Sequence, residues 1–80
     1  MKTIHVQYFA VLREQARRGE ETLATDAHSP ADLYEALKER HGLTLPRAVL
    51  RVAVNEEFCG WDRPLYEGDR VVFIPPVAGG

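Results

Sequence analysis

A single cysteine, Cys59, among 80 residues excludes an internal disulfide and cannot by itself build a zinc site. A lone loop cysteine reads as an incidental thiol, although a persulfide or thioester role is the sharper alternative. The three histidines, His5, His28 and His41, lack metal-ligand spacing and read as surface or helix-edge residues. No apolar run approaches the length of a membrane span, and the first residues lack the charged-then-apolar plan of a signal peptide. Basic residues number 10 against 12 acidic ones, giving a formal net charge of -2, and only Arg17 and Arg18 are adjacent. Nucleic-acid binding through phosphate neutralisation is therefore not expected, and neither is a membrane partner. There is no phosphate-cradling glycine loop, so ATP is not expected to bind this chain. Glu56, Glu57 and Asp62 read as a solvated loop, because a carboxylate pair needs a cleft that so small a domain does not offer. No cofactor or metal site emerges, and a cytoplasmic location is the expectation.

What is present is a globular composition, 45% hydrophobic and 28% charged. The length suits one small domain, residues 1–80, with a compact core. Its most unusual stretch is Phe73-Ile74-Pro75-Pro76-Val77-Ala78-Gly79-Gly80. Two prolines favour an extended chain and should hold residues 75–80 away from the domain as a flexible tail. The two glycines have no side chain to pack. Those six residues can reach roughly 20 Å when extended. Such a tail could enter a channel too narrow for any side chain and deliver only the carboxylate of Gly80.

The rest of the chain supplies a body for this tail. Residues 3–9 alternate, with Ile4, Val6 and Tyr8 inward and Phe9 left on the outer face. Residues 10–17 are good helix formers, and Gly19 is the expected stop. A second strand is expected over 21–25. Ser29, Pro30 and Asp32 form a helix start, and Gly42 ends a main helix over 30–41 with Leu33, Ala36, Leu37 and Arg40 on one face. Residues 50–55 alternate again, with Leu50, Val52 and Val54 inward. Residues 55–68 read as a polar loop carrying Phe58, Trp61 and Leu65, closed by a turn at Glu67-Gly68-Asp69. The last strand, 70–74, turns Val71 and Phe73 to one face and Val72 and Ile74 to the other.

One helix across one face of a mixed sheet makes an α+β roll, with the first and last strands paired at its centre. That arrangement leaves Phe9, Val72, Ile74 and Phe58 outward beside the tail, which points to a docking patch.

Three segments resemble the small, sulfur-carrying subunits of molybdopterin synthases: residues 8–14 (Tyr-Phe-Ala-Val-Leu-Arg-Glu), residues 51–58, and residues 65–80 with the ending Ile-Pro-Pro-Val-Ala-Gly-Gly. The resemblance implies a ubiquitin-like β-grasp fold and a carrier that is not an enzyme by itself. It implies that an ATP-dependent activating enzyme adenylates Gly80, that sulfur then replaces the adenylate to give a thiocarboxylate, and that Gly79 is the slender link behind it. It implies insertion of Pro75, Pro76, Val77 and Ala78 into a large catalytic subunit, in a heterotetramer of two small and two large subunits. There sulfur would be donated to cyclic pyranopterin monophosphate to form the molybdopterin dithiolene. Phe9, Phe58 and Ile74 fall where the family places apolar contacts with the large subunit, and Arg13 falls on a family arginine at or near a protein interface. Val72 is added as a partner contact by its outward place on the last strand. Ile74 departs from relatives that have an aromatic residue there. Two other readings share the fold: a carrier for thiamine synthesis or thiolation, and a ubiquitin-like modifier joined to lysines. The double proline favours the first reading over the thiamine carriers.

Overall fold

The computed structural model describes residues 1–76. The main helix, α2 (Pro30–His41), begins as its local chemistry dictates. Ser29 has extended backbone and its hydroxyl accepts from the Asp32 amide at 3.3 Å, Pro30 occupies the first turn, and Gly42 closes the helix with φ 71°. The short helix α1 (Ala10–Ala16) ends differently from expectation. Arg17, not Gly19, takes the left-handed cap, with φ 61° and its amide donating to the Arg13 carbonyl.

Five strands make one mixed sheet: β1 (Lys2–Tyr8), β2 (Glu20–Thr25), β3 (Arg51–Val54), β4 (Glu57–Cys59) and β5 (Arg70–Ile74), in the order β2-β1-β5-β3-β4. The first and last strands are parallel neighbours at the centre, with Val6 opposite Val71 and Tyr8 opposite Phe73. The other pairs are antiparallel. The strand β4 lies where a loop was expected. Asn55 and Glu56 form a two-residue hairpin turn, both with positive φ (52° and 71°), which folds Glu57–Cys59 back onto β3.

The strand alternation sends Ile4, Val6, Tyr8, Val52, Val54, Val71 and Phe73 to the helix side, where all are buried with Leu12 of α1 and Leu33, Tyr34 and Leu37 of α2. Each such side chain contributes about 1.5–3 kcal/mol by leaving water. The Tyr34 ring meets Phe73 edge-on at 5.2 Å, and Trp61 stacks on Phe73 at 5.9 Å, so the loop after β4 is anchored as expected of Trp61. The stripe of α2 is rotated from the expected one. Ala36 and Arg40 are exposed, while Tyr34 and His41 are enclosed, because the sheet offers Phe73 to the one and Glu21 to the other.

The turn before β5 is fixed by a buried carboxylate. Asp69 accepts from Asn55 Nδ2 and from the Tyr66 amide, each at 2.9 Å, which ties the β3–β4 turn to the start of β5. Among the described residues no helix is long and apolar enough to cross a membrane, and no cluster of three His, Cys, Asp or Glu side chains could hold a metal ion.

Candidate functional site

The sheet face away from α2 is the site the fold leaves open. Register places Gln7 opposite Val72, Val72 opposite Ala53, and Ala53 opposite Phe58, so one lane crosses four strands. Val72 and Ile74 are half-buried rather than fully exposed, and Ala53 is buried within the same face. Phe58 is 65% exposed because it stands on the short edge strand β4, with no further strand to cover it. Phe9 follows β1 with extended backbone, so it continues the alternation onto this outer face and is 43% exposed. Since Tyr8 is opposite Phe73, Phe9 falls level with Ile74. Four expected contact residues, Phe9, Phe58, Val72 and Ile74, are therefore gathered on one face around the end of β5.

Two features hold the chain at Phe9. Ala10 has φ 51°, the left-handed region that side-chain-bearing residues rarely adopt, and this turns the chain sharply from β1 into α1. The Phe9 carbonyl then accepts from the Leu12 amide at 3.1 Å. Arg13, one turn on, lies against Gly19. Arg13 and Phe9 share a depression of about 360 Å³ with Gln7, Tyr8, Gly19 and Glu20.

Pro75, expected to stand away from the domain with the rest of residues 75–80, is instead buried and belongs to the body, while Pro76 is exposed. A depression of about 250 Å³ beside it is lined by Val49, Arg51, Ile74, Pro75 and Pro76. Val49 and Arg51 are additions that sequence reasoning missed. The Arg47–Val49 helical turn brings Val49 there, 45% exposed, and no periodicity marks it. The expected roles of Val77, Ala78, Gly79 and Gly80 lie outside the described residues.

The remaining candidates separate clearly. Burial pushes the Cys59 thiol up from its ordinary value, with Asp62 adding to the rise and Arg63 opposing it, the wrong direction for an activated nucleophile. His41, read as a surface or helix-edge residue, lies at the edge of the α2 stripe with its side chain enclosed against Glu21. His5 stays at the surface, its Nδ1 2.9 Å from the Thr22 hydroxyl.

Comparison with known proteins agrees with this geometry. Residues 6–80 match the ThiS family. The chain is 36% identical over 80 residues to the molybdopterin synthase sulfur carrier subunit of Escherichia coli K12, covering 96% of this chain and 99% of that one. Among solved structures it is similar to a complex of subunits 1 and 2 of molybdopterin-converting factor from Helicobacter pylori 26695 (TM-score 0.68, 25% identity, 98% and 99% coverage). It also superposes on small archaeal modifier protein 1 of H. volcanii (TM-score 0.81, 21% identity, 96% and 100% coverage), a likeness of fold alone. The five-stranded roll is thus the ubiquitin-like β-grasp, and the chain belongs to the ThiS family, where it is similar to the sulfur-carrier subunits of molybdopterin synthase.

Proposed function

We propose that this chain is the sulfur carrier of molybdopterin synthase and that Gly80 bears the sulfur. The observation that carries the reading is the full-length similarity to the E. coli carrier subunit, together with an apolar face gathered around the root of the Pro-Pro-Val-Ala-Gly-Gly tail. A carboxylate is a poor acyl donor. The activating enzyme uses ATP to make the acyl-adenylate of Gly80, releasing pyrophosphate. Sulfide-level sulfur then attacks the acyl carbon and displaces AMP, leaving a thiocarboxylate. Within the large subunit that sulfur bonds to a carbon of cyclic pyranopterin monophosphate, and water cleaves the resulting thioester, returning Gly80 to a carboxylate. A dithiolene holds two sulfurs and each carrier delivers one, so two deliveries complete each product. The small subunit supplies no general base in this scheme; its part is to dock and to present the tail.

Phe9, Phe58, Val72 and Ile74 form the docking face in this reading, with Arg13 at its rim. Pro75 anchors the root, and Pro76, Val77, Ala78 and Gly79 thread the channel. Pre-extension by the prolines lessens the ordering cost of insertion, roughly 1–2 kcal/mol per residue. The ThiS family match keeps a second reading in view, a carrier for another sulfur pathway, against which the double proline stands.

Intact-protein mass spectrometry tests the proposal. After incubation with ATP, the cognate activating enzyme and a sulfur source, the chain should gain the mass of one oxygen replaced by sulfur, localised to Gly80. Adding the large subunit and the pyranopterin should discharge it. No gain with a demonstrably active activating enzyme would reduce the tail to a docking peptide.

A further inference from the structure

Arg51 is a wall of two shallow depressions, one at the root of the tail and one beside β4. One is lined by Val49, Arg51, Ile74, Pro75 and Pro76; the other, of about 220 Å³, includes Leu50, Arg51, Phe58 and Trp61, and no carboxylate lines either. Arg51 is on the outer face because it alternates with buried Val52, and register sets it opposite Ile74. Its guanidinium carbon lies 5.7 Å from the centre of the Phe58 ring.

Acidic residues outnumber basic ones in this chain, so a cation in wholly apolar company is notable. Arg18, Arg47 and Arg63 each have a carboxylate within 4.0 Å. Arg51, like Arg13, Arg17, Arg40 and Arg70, has none among the described residues. It differs from Arg13 and Arg70 in that the depressions it lines hold no carboxylate, whereas theirs do.

A partner that covers Phe58, Ile74 and Pro76 must also strip water from Arg51. A guanidinium buried without a counter-charge opposes association strongly. Resting on the docking reading above, we infer that Arg51 is a charged anchor of this face and that the large subunit meets it with a carboxylate set within apolar surface. The planar fork suits a carboxylate, and contact with the Phe58 ring limits the freedom lost on pairing. A second copy of this chain fits poorly, since a two-fold pairing of the face would bring two Arg51 charges into one apolar lane. A phosphate backbone fits poorly too, because it needs several cations rather than one among prolines and aromatics.

The test is the kinetics of binding to the cognate large subunit at rising salt, for the unaltered chain and for R51K, R51M and R51E, with thermal melts to verify folding. R51K keeps the charge but loses the planar fork, so it should bind more weakly than the unaltered chain and more tightly than R51M. R51M keeps the apolar stem and should raise Kd by roughly ten- to a hundredfold. R51E should in addition slow association by about tenfold at low salt, a gap that narrows as salt rises. Unchanged affinity in R51M, or unchanged association in R51E while Ile74→Asp still blocks docking, would overturn the charge inference and leave the docking face standing. Failure of the unaltered chain to bind would remove both. Self-association of the free chain that R51E strengthens would give the face to a second copy and overturn the inference.

Discussion

His41 Nε2 lies 2.6 Å from Glu21 Oε2, and the two side chains are only 8% and 6% exposed. The same oxygen accepts from the Tyr8 hydroxyl at 2.7 Å, and Arg18 stands 3.7 Å from the other carboxylate oxygen. Three elements, β1, β2 and the last turn of α2, are joined through one carboxylate.

That arrangement fixes the response to acid. Burial by itself would raise the pKa of Glu21, but hydrogen bonds from Tyr8 and His41 and the charges of His41 and Arg18 outweigh it and hold the carboxyl below its ordinary value. A folded-state pKa below the unfolded one means stability that is present above the ordinary carboxylate range and lost as pH falls through the folded value. Melting temperatures measured across acidic pH should decline in that window. Glu21→Gln should flatten the decline, and Glu21→Ala should cost about 2 kcal/mol at neutral pH. An unaltered acid slope in Glu21→Gln would remove Glu21 from the account.

The outer face should yield to charge without collapse of the fold. Phe9→Asp and Phe58→Asp should each weaken docking by about 2 kcal/mol, roughly thirtyfold in Kd, with little change in melting temperature. Ile74→Asp should weaken docking as much and lose about 1 kcal/mol of stability as well, because Ile74 is half-buried in the central strand. Calorimetric titration against the large subunit, paired with melts, separates the two effects. A large stability loss in Phe9→Asp with intact binding would mean the face is misassigned.

Gly80 can be tested without touching the body. Deleting it, or adding one residue after it, should abolish sulfur transfer and leave the melting temperature unchanged. Restored cofactor synthesis by the truncated chain would sink the carrier proposal.

The β3–β4 turn holds a reserve of stability. Glu56 has φ 71°, where a residue with a side chain is strained and glycine is not. Glu56→Gly should stabilise the domain by about 0.5–1 kcal/mol in urea unfolding, since relief of the left-handed strain exceeds the added freedom of the unfolded chain. A loss of stability would show that the glutamate side chain contributes more than its backbone costs.

What could be read from sequence was what local chemistry decides. The caps of α2 need only Ser29, Pro30 and Gly42, and the inner faces of β1 and β5 announce themselves in Ile4, Val6, Tyr8, Val71 and Phe73. The strand β4 was hidden because three residues with one aromatic have no period, and its turn lacks the usual glycine. The rotation of α2 was hidden because burial of Tyr34 and His41 depends on distant partners in the sheet. For the site, Phe9, Phe58, Val72 and Ile74 stood out as apolar residues without a place in the core. Val49 and Arg51 did not, since a helical turn brings Val49 to the root of the tail and only the pairing of β3 with β5 sets Arg51 opposite Ile74.

The central place of β5 has a consequence for how the chain assembles. Before β5 is in place, β1–β2 and β3–β4 are two separate ribbons with no strand between them. Closing that gap requires the distant pairing of His5 with Arg70 and of Tyr8 with Phe73, a slow, high-separation step. Cooperative folding therefore waits for the strand that leads into the tail. A chain that has become resistant to proteolysis has, by the same event, set Ile74 and Pro75 in position, so folding and the placing of the segment that leads into residues 77–80 are one event.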